Sequence, residues 1–228
     1  ETRAQTTAVA RAATAPPAAP EPPRVVVVDT LPVPGDQPVF ALRGGRKGGA
    51  VGVMLHGWCS HGMGFLQAFQ WAAADVGQFI ALQGDHHCGS GPMRGWGNDV
   101  VALDRRIDAA LRAYLGEEPP AELVLAGSSQ GVERAVDLAK RFPTKYRWLI
   151  LASGPHTLPA RGLEKLAGAY FFVGQHEGRG PMQASRDAWR RSGIRAELKV
   201  IPGGGHSDFH GQGDPLMKAA FSFLLPPS

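Results

Sequence analysis

The sequence predicts an α/β fold built on a mostly parallel sheet of eight strands with helices on both faces. Short apolar runs of strand length alternate with amphipathic helical segments along most of the chain, which is the pattern of a sheet covered on both sides. The first of the central runs, AVGVMLHG (50–57), is continuously apolar, as a strand buried on both faces must be. Gly and Pro punctuate the junctions between segments.

Taken in order, RVVVVDT (24–30) and QPVFALR (37–43) read as strands joined by LPVPGD, whose Pro and Gly suit a turn, so these two form an antiparallel edge. After the strand at 50–57 comes a helix over 62–77 and a strand FIALQG (79–84). A helix over 98–116 follows, with Asn98 or Asp99 as N-cap and Gly116 as its stop. AELVLAG (121–127) is a strand, and QGVERAVDLAKRF (130–142) is a helix closed by Pro143. Strands at 146–154, 169–175 and 194–203 alternate with helices at 182–193 and 215–225. No internal repeat is visible.

The chain has 228 residues, room for one core of ordinary size, and we expect one folded domain over 24–228. Ahead of it, Ala, Pro and Thr occupy 17 of the first 23 positions, a composition that buries too little apolar surface to offset the entropy of ordering it. Residues 1–23 are therefore read as a disordered tether. Such a tether, with an even cysteine count, predicts an exported protein, whether periplasmic, secreted or lipid-anchored at the cell surface. The 24 Lys and Arg against 20 Asp and Glu leave a net charge of +4 without a dense basic block, so no nucleic-acid partner is expected. No apolar run approaches the roughly 20 residues of a membrane-spanning helix. The chain is read as a monomer.

One junction carries chemistry. Gly127-Ser128-Ser129-Gln130-Gly131 lies between a strand and a helix, and it fits the G-x-S-x-G elbow, where a strained turn lifts a serine hydroxyl clear of the sheet. Small residues are needed two positions to either side, and only Ser129 has glycine at both. The following helix aims its N-terminal N–H groups at the same spot. The alternative is a plain helix N-cap by Ser128 or Ser129.

With these residues the chain resembles the α/β-hydrolase fold family over about residues 25–225, with a weaker likeness to its feruloyl esterase, polyhydroxybutyrate depolymerase and dienelactone-hydrolase-like branch through Trp96 and Asp99-Val100. The resemblance implies a nucleophile, an acid and a histidine in that chain order. Ser129 is the nucleophile. The base is His206, in VIPGGGHSDF after the last predicted strand, with His210 in reserve. The family's acid stands in a pattern like G-x-x-D-x-x-x-P, and here Gly174, Glu177 and Pro181 fall in register with Glu in place of Asp. Between Asp137 and Asp187 the only acids are Glu177 and Glu164, so Glu177 is the candidate.

By the same resemblance the oxyanion hole is formed by the backbone N–H groups of Trp58 and Gln130, and His56 braces the loop. The loops holding Cys59 and Cys88 rise from adjacent strands, so a Cys59–Cys88 disulfide is expected, with two free buried thiols as the alternative. Closing a loop of about 30 residues would contribute on the order of 3–4 kcal/mol. The family often carries a helical lid between the strands ending near Gly154 and starting near Ala169, where this chain has no room for one. An open site walled by Trp58, Trp96 and Phe209 suits an aryl or polymeric ester.

The expected activity is serine carboxylic-ester hydrolysis through an acyl-enzyme, with no metal or organic cofactor. His86-His87-Cys88 lacks the ligand spacing of a zinc site. The competing readings are an amide, peptide or thioester hydrolase on the same triad, and a catalytically silent binding module.

Overall fold

The computed structural model describes residues 25–89 and 91–225, so the segment read as a tether lies outside the described residues. Eight strands form one sheet: β1 (Val27–Leu31), β2 (Val39–Arg43), β3 (Ala50–Leu55), β4 (Gly77–Leu82), then β7 (Leu123–Ser128), β8 (Tyr146–Ala152), β9 (Gly168–Gly174) and β10 (Ala196–Ile201). Their spatial order is β1-β2-β4-β3-β7-β8-β9-β10. The β1–β2 and β2–β4 pairs are antiparallel and the remaining pairs are parallel, which makes the first two strands the antiparallel edge.

Period-two alternation divides the strand side chains between two cores. Val53 and Leu55 of β3, Ile80 and Leu82 of β4, and Leu123 and Leu125 of β7 face α3 (Val100–Leu115), α4 (Gln130–Arg141) and α5 (Gly180–Arg191). Met54, Phe79, Val124 and Ala126 face the other way, onto α1 (Gly62–Gln67), α2 (Gln70–Val76) and α6 (Gly213–Leu224). The continuous apolar runs of the central strands follow from this double burial. Asp99 caps α3 by accepting from the Ala102 N–H at 2.9 Å, and Gly116 ends it at φ +75°.

Two features depart from expectation. The helix expected over 62–77 is two helices, because the chain leaves helical geometry at Phe69 (φ −128°, ψ 13°) to bury that ring against Phe65 and Phe209. The second helix then receives its cap from far along the chain: Asp214 Oδ1, at the start of α6, accepts the Ala72 N–H at 2.8 Å. The stretch after β4, expected as a plain loop, holds a small antiparallel hairpin of β5 (His86–His87) and β6 (Arg94–Gly95). Residues 153–167, between β8 and β9, contain neither helix nor strand. Among the described residues no helix is long and apolar enough to cross a membrane.

Candidate active site

Ser129 joins β7 to α4 with φ +52° and ψ −117°, a conformation costly for a side-chain-bearing residue. The close approach explains the flanking glycines: a Cβ on Gly127 would lie 2.3 Å from the Gly131 carbonyl oxygen, and one on Gly131 would lie 2.1 Å from that of Leu55. The Ser129 side chain makes no cap hydrogen bond to its helix. Its Oγ instead lies 3.0 Å from His206 Nε2, and His206 Nδ1 lies 2.9 Å from Glu177 Oε2. The three side chains come from the C-terminal ends of β7, β9 and β10, which the sheet order gathers at one edge with β8 between β7 and β9.

His210 lines the same cleft with its ring against Gly203, where an added Cβ would meet it at 3.0 Å, and it is His206 that meets the serine. Glu164 stands away from this group and accepts the Gly162 N–H at 2.9 Å. The Glu177 carboxylate has three partners: its Oε1 accepts from the Gly174 N–H at 2.5 Å and from the Ser153 hydroxyl at 2.7 Å, while its Oε2 faces His206. Ser153, at φ +56° after β8, is absent from the sequence reading. A lone serine after a strand has no pattern to mark it, although its position at the C-terminal edge of the strand next to the elbow is a usable signal.

On the opposite side of Ser129, a Cβ on Gly57 would stand 3.1 Å from the Ser129 Cβ, so the 57–60 loop passes directly beside the hydroxyl. Gln130 is the first residue of α4, and its N–H therefore has no acceptor within the helix. His56 is 1% exposed and braces the loop from beneath: its Nδ1–H donates to the Gly57 carbonyl at 2.7 Å and its Nε2 accepts the Gly84 N–H at 3.0 Å. The second contact needs the neutral imidazole, since a protonated Nε2 could not accept. Burial pushes the His56 pKa down to about 4, against a smaller upward pull from the bond to Gly57.

Cys59 (φ +51°) and Cys88 form a disulfide with their Cα atoms 5.3 Å apart. Beside it, Ser60 and Arg94 exchange backbone hydrogen bonds of 3.1 and 3.0 Å, stitching the 57–60 loop to the β5–β6 hairpin. Cys88 is thus committed to the disulfide, and His86 and His87 sit exposed on β5.

Two aromatic expectations separate. Trp58 is 53% exposed at the lip of the cleft, with its ring laid on Gly95, where a Cβ would come within 2.1 Å of it. Trp96 is 3% exposed and does not wall the cleft, which corrects that expectation. Its indole N–H donates to the His56 carbonyl at 2.7 Å, and its backbone N–H and carbonyl are both bound by the Gln130 side-chain amide, at 2.9 and 3.1 Å. An indole flanked by two glycines, Gly95 and Gly97, looks exposed in sequence and is drawn inward by these bonds. The cleft, about 980 Å³, runs from Ser129 between 57–68 and 206–215, with Trp58, Phe65, Met93 and Phe209 as its larger apolar lining.

Neither a protein-family model nor a curated protein sequence matches the chain. Solved structures do. The 2-hydroxy-6-oxo-6-phenylhexa-2,4-dienoate hydrolase of Rhodococcus sp. strain RHA1 superposes with a TM-score of 0.63 at 11% identity, over 87% of this chain and 99% of that one. Naproxen esterase from Bacillus subtilis gives 0.61 at 12% identity, over 88% and 92%. A bacterial membrane phospholipase A gives 0.61 at 15%, over 87% and 86%. Likeness at such identities speaks for the fold alone, and by its sheet order, its elbow and these superpositions the chain has the α/β-hydrolase fold.

Proposed function

We propose that the protein is a serine hydrolase that cleaves carboxylic esters. The observation that carries this reading is the continuous hydrogen-bonded line from Ser129 Oγ through His206 to Glu177, with links of 3.0 and 2.9 Å. A serine hydroxyl is a weak nucleophile until a base removes its proton. His206 Nε2 takes that proton as Oγ attacks the ester carbonyl, and Glu177 holds Nδ1–H and stabilises the imidazolium. The tetrahedral oxyanion is received by the backbone N–H groups of Trp58 and Gln130. His206 returns the proton to the leaving alcohol, and water, activated by the same base, releases the acid from the acyl-enzyme.

An open cleft with Trp58, Phe65, Met93 and Phe209 along it favours aryl or polymeric esters over a long free acyl chain enclosed in a tunnel. Similar structures named as a ferulic acid esterase and a naproxen esterase support an ester whose acid carries an aryl group. The Cys59–Cys88 disulfide supports an oxidising, extracytoplasmic location, which free-thiol titration of the natively produced protein checks: two reactive thiols would sink it.

The function is tested by fluorophosphonate labelling, followed by p-nitrophenyl, feruloyl and polyester substrates with Ser129→Ala as control. Labelling at Ser129 and turnover lost in the variant are expected. A folded protein that stays unlabelled would instead be a silent binding module, and turnover of amides or thioesters in preference to esters would move the substrate class.

A further inference from the structure

Glu177 is longer by one methylene than the aspartate it stands for, so three side-chain torsions rather than two must be fixed before its carboxylate can orient His206. Two groups besides His206 hold it. The Gly174 N–H is on the same turn and moves with Glu177, whereas the Ser153 hydroxyl comes from the end of a different strand, β8. Ser153 is also the node of a longer chain. Its Oγ donates to Glu177 Oε1 at 2.7 Å and accepts the Ser207 N–H at 2.9 Å, from the residue directly after His206. Ser207 Oγ in turn accepts from the Ser128 hydroxyl at 2.8 Å, from the residue directly before Ser129. Ser128 and Ser153 are 3% and 2% exposed, so water does not compete for these bonds. Ser153 and Ser207 both stand at φ +56°, a backbone cost tolerated where the surroundings over-determine it.

Resting on the serine-hydrolase reading, we propose that Ser153 is the positioning residue of the triad: its hydroxyl locks the long Glu177 side chain and ties the acid to the backbone that carries His206. It touches neither substrate nor the reacting atoms and acts only through Glu177. The Ser128–Ser207 pair extends the same lock to the elbow.

The test is a double-mutant cycle of Ser153→Ala and Glu177→Ala on whichever p-nitrophenyl ester the native enzyme turns over, with folding checked by thermal unfolding. Ser153→Ala is expected to lower kcat about 10- to 100-fold with KM unchanged, the scale of misplacing a catalytic group by an ångström or less. In the Glu177→Ala background the same substitution is expected to change kcat less than about twofold. Ser153→Gly relieves the positive φ and removes the same hydroxyl, so it is expected to match Ser153→Ala. The proposal is overturned if Ser153→Ala keeps native kcat, if it costs as much without Glu177 as with it, or if Ser153→Gly retains full activity. If the native enzyme neither labels at Ser129 nor turns over esters, the hydrolase reading itself has failed, which is distinct from an active enzyme indifferent to Ser153.

Discussion

On one flank of Ser129, the 57–60 loop is fastened to the β5–β6 hairpin by the Cys59–Cys88 disulfide, the paired backbone bonds of Ser60 and Arg94, and the Trp58 ring laid on Gly95. On the other flank, Glu177 and His206 are held by hydrogen bonds from hydroxyls and backbone N–H groups, with no covalent tie. The difference matches what each flank does in the proposed mechanism. Oxyanion donors must be preset before charge develops, because reorganising them during the reaction would consume the stabilisation they offer. A general base must take a proton from one oxygen and deliver it to another, so it is better steered than clamped. Covalent and packing constraints suit the first task and directional polar contacts the second.

The largest effect should come from the polar flank. Glu177→Ala is expected to lower kcat by about 10³- to 10⁴-fold, the scale of losing the orienting acid of a triad, while Glu164→Ala leaves it unchanged. Steady-state kinetics on one ester decides; the reverse ranking would move the acid to Glu164. On the clamped flank, Cys59→Ala with Cys88→Ala, or reduction by dithiothreitol, is expected to lower stability by about 3–4 kcal/mol in urea unfolding and to reduce kcat, with KM altered little. If kcat is untouched in the folded, reduced protein, the disulfide is a stabiliser alone and the contrast between the flanks weakens.

His56 makes the clamped flank sensitive to acid. Below a pH of about 6.5 the unfolded chain binds a proton at His56 that the folded chain refuses until about 4. The unfolded state thus holds more protons in that window, and stability present above it falls by roughly 3 kcal/mol as pH drops through it, then levels off. Urea midpoints for native protein and His56→Gln between pH 7 and 4 measure this, and equal pH slopes for the two would refute it. The smallest effect is expected from Gly95→Ala, whose added methyl displaces the Trp58 ring, raising KM about two- to fivefold and lowering kcat by no more than about the same factor.

Much of the molecule was legible in the sequence for local reasons. The strands announced themselves by continuous apolar runs, α3 by its Asp99 cap and Gly116 stop, and the elbow by glycines that no other residue can replace at 2.1–2.3 Å approaches. Glu177 stood out because that stretch of chain is almost without acids. The break at Phe69 was not legible, since residues 62–77 keep a helical composition and the cap that restarts the helix, Asp214, lies 142 residues away. Nor was the inward turn of Trp96, decided by the His56 carbonyl and the Gln130 amide, or the β5–β6 hairpin, whose strands are two residues each and hold by pairing with neighbours.

By itself the sequence determined the class of fold, the order of its elements and the turn on which Ser129 sits, because periodicity, capping and the sterics of glycine act over a few residues. Only the tertiary structure decided which side chains meet. The sheet order brings the ends of β7, β9 and β10 to one edge, the hydroxyl of Ser153 reaches Glu177 from β8, and Cys59 reaches Cys88 in the hairpin. Such contacts join residues tens of positions apart, and their geometry exists only once the two cores have packed against the sheet.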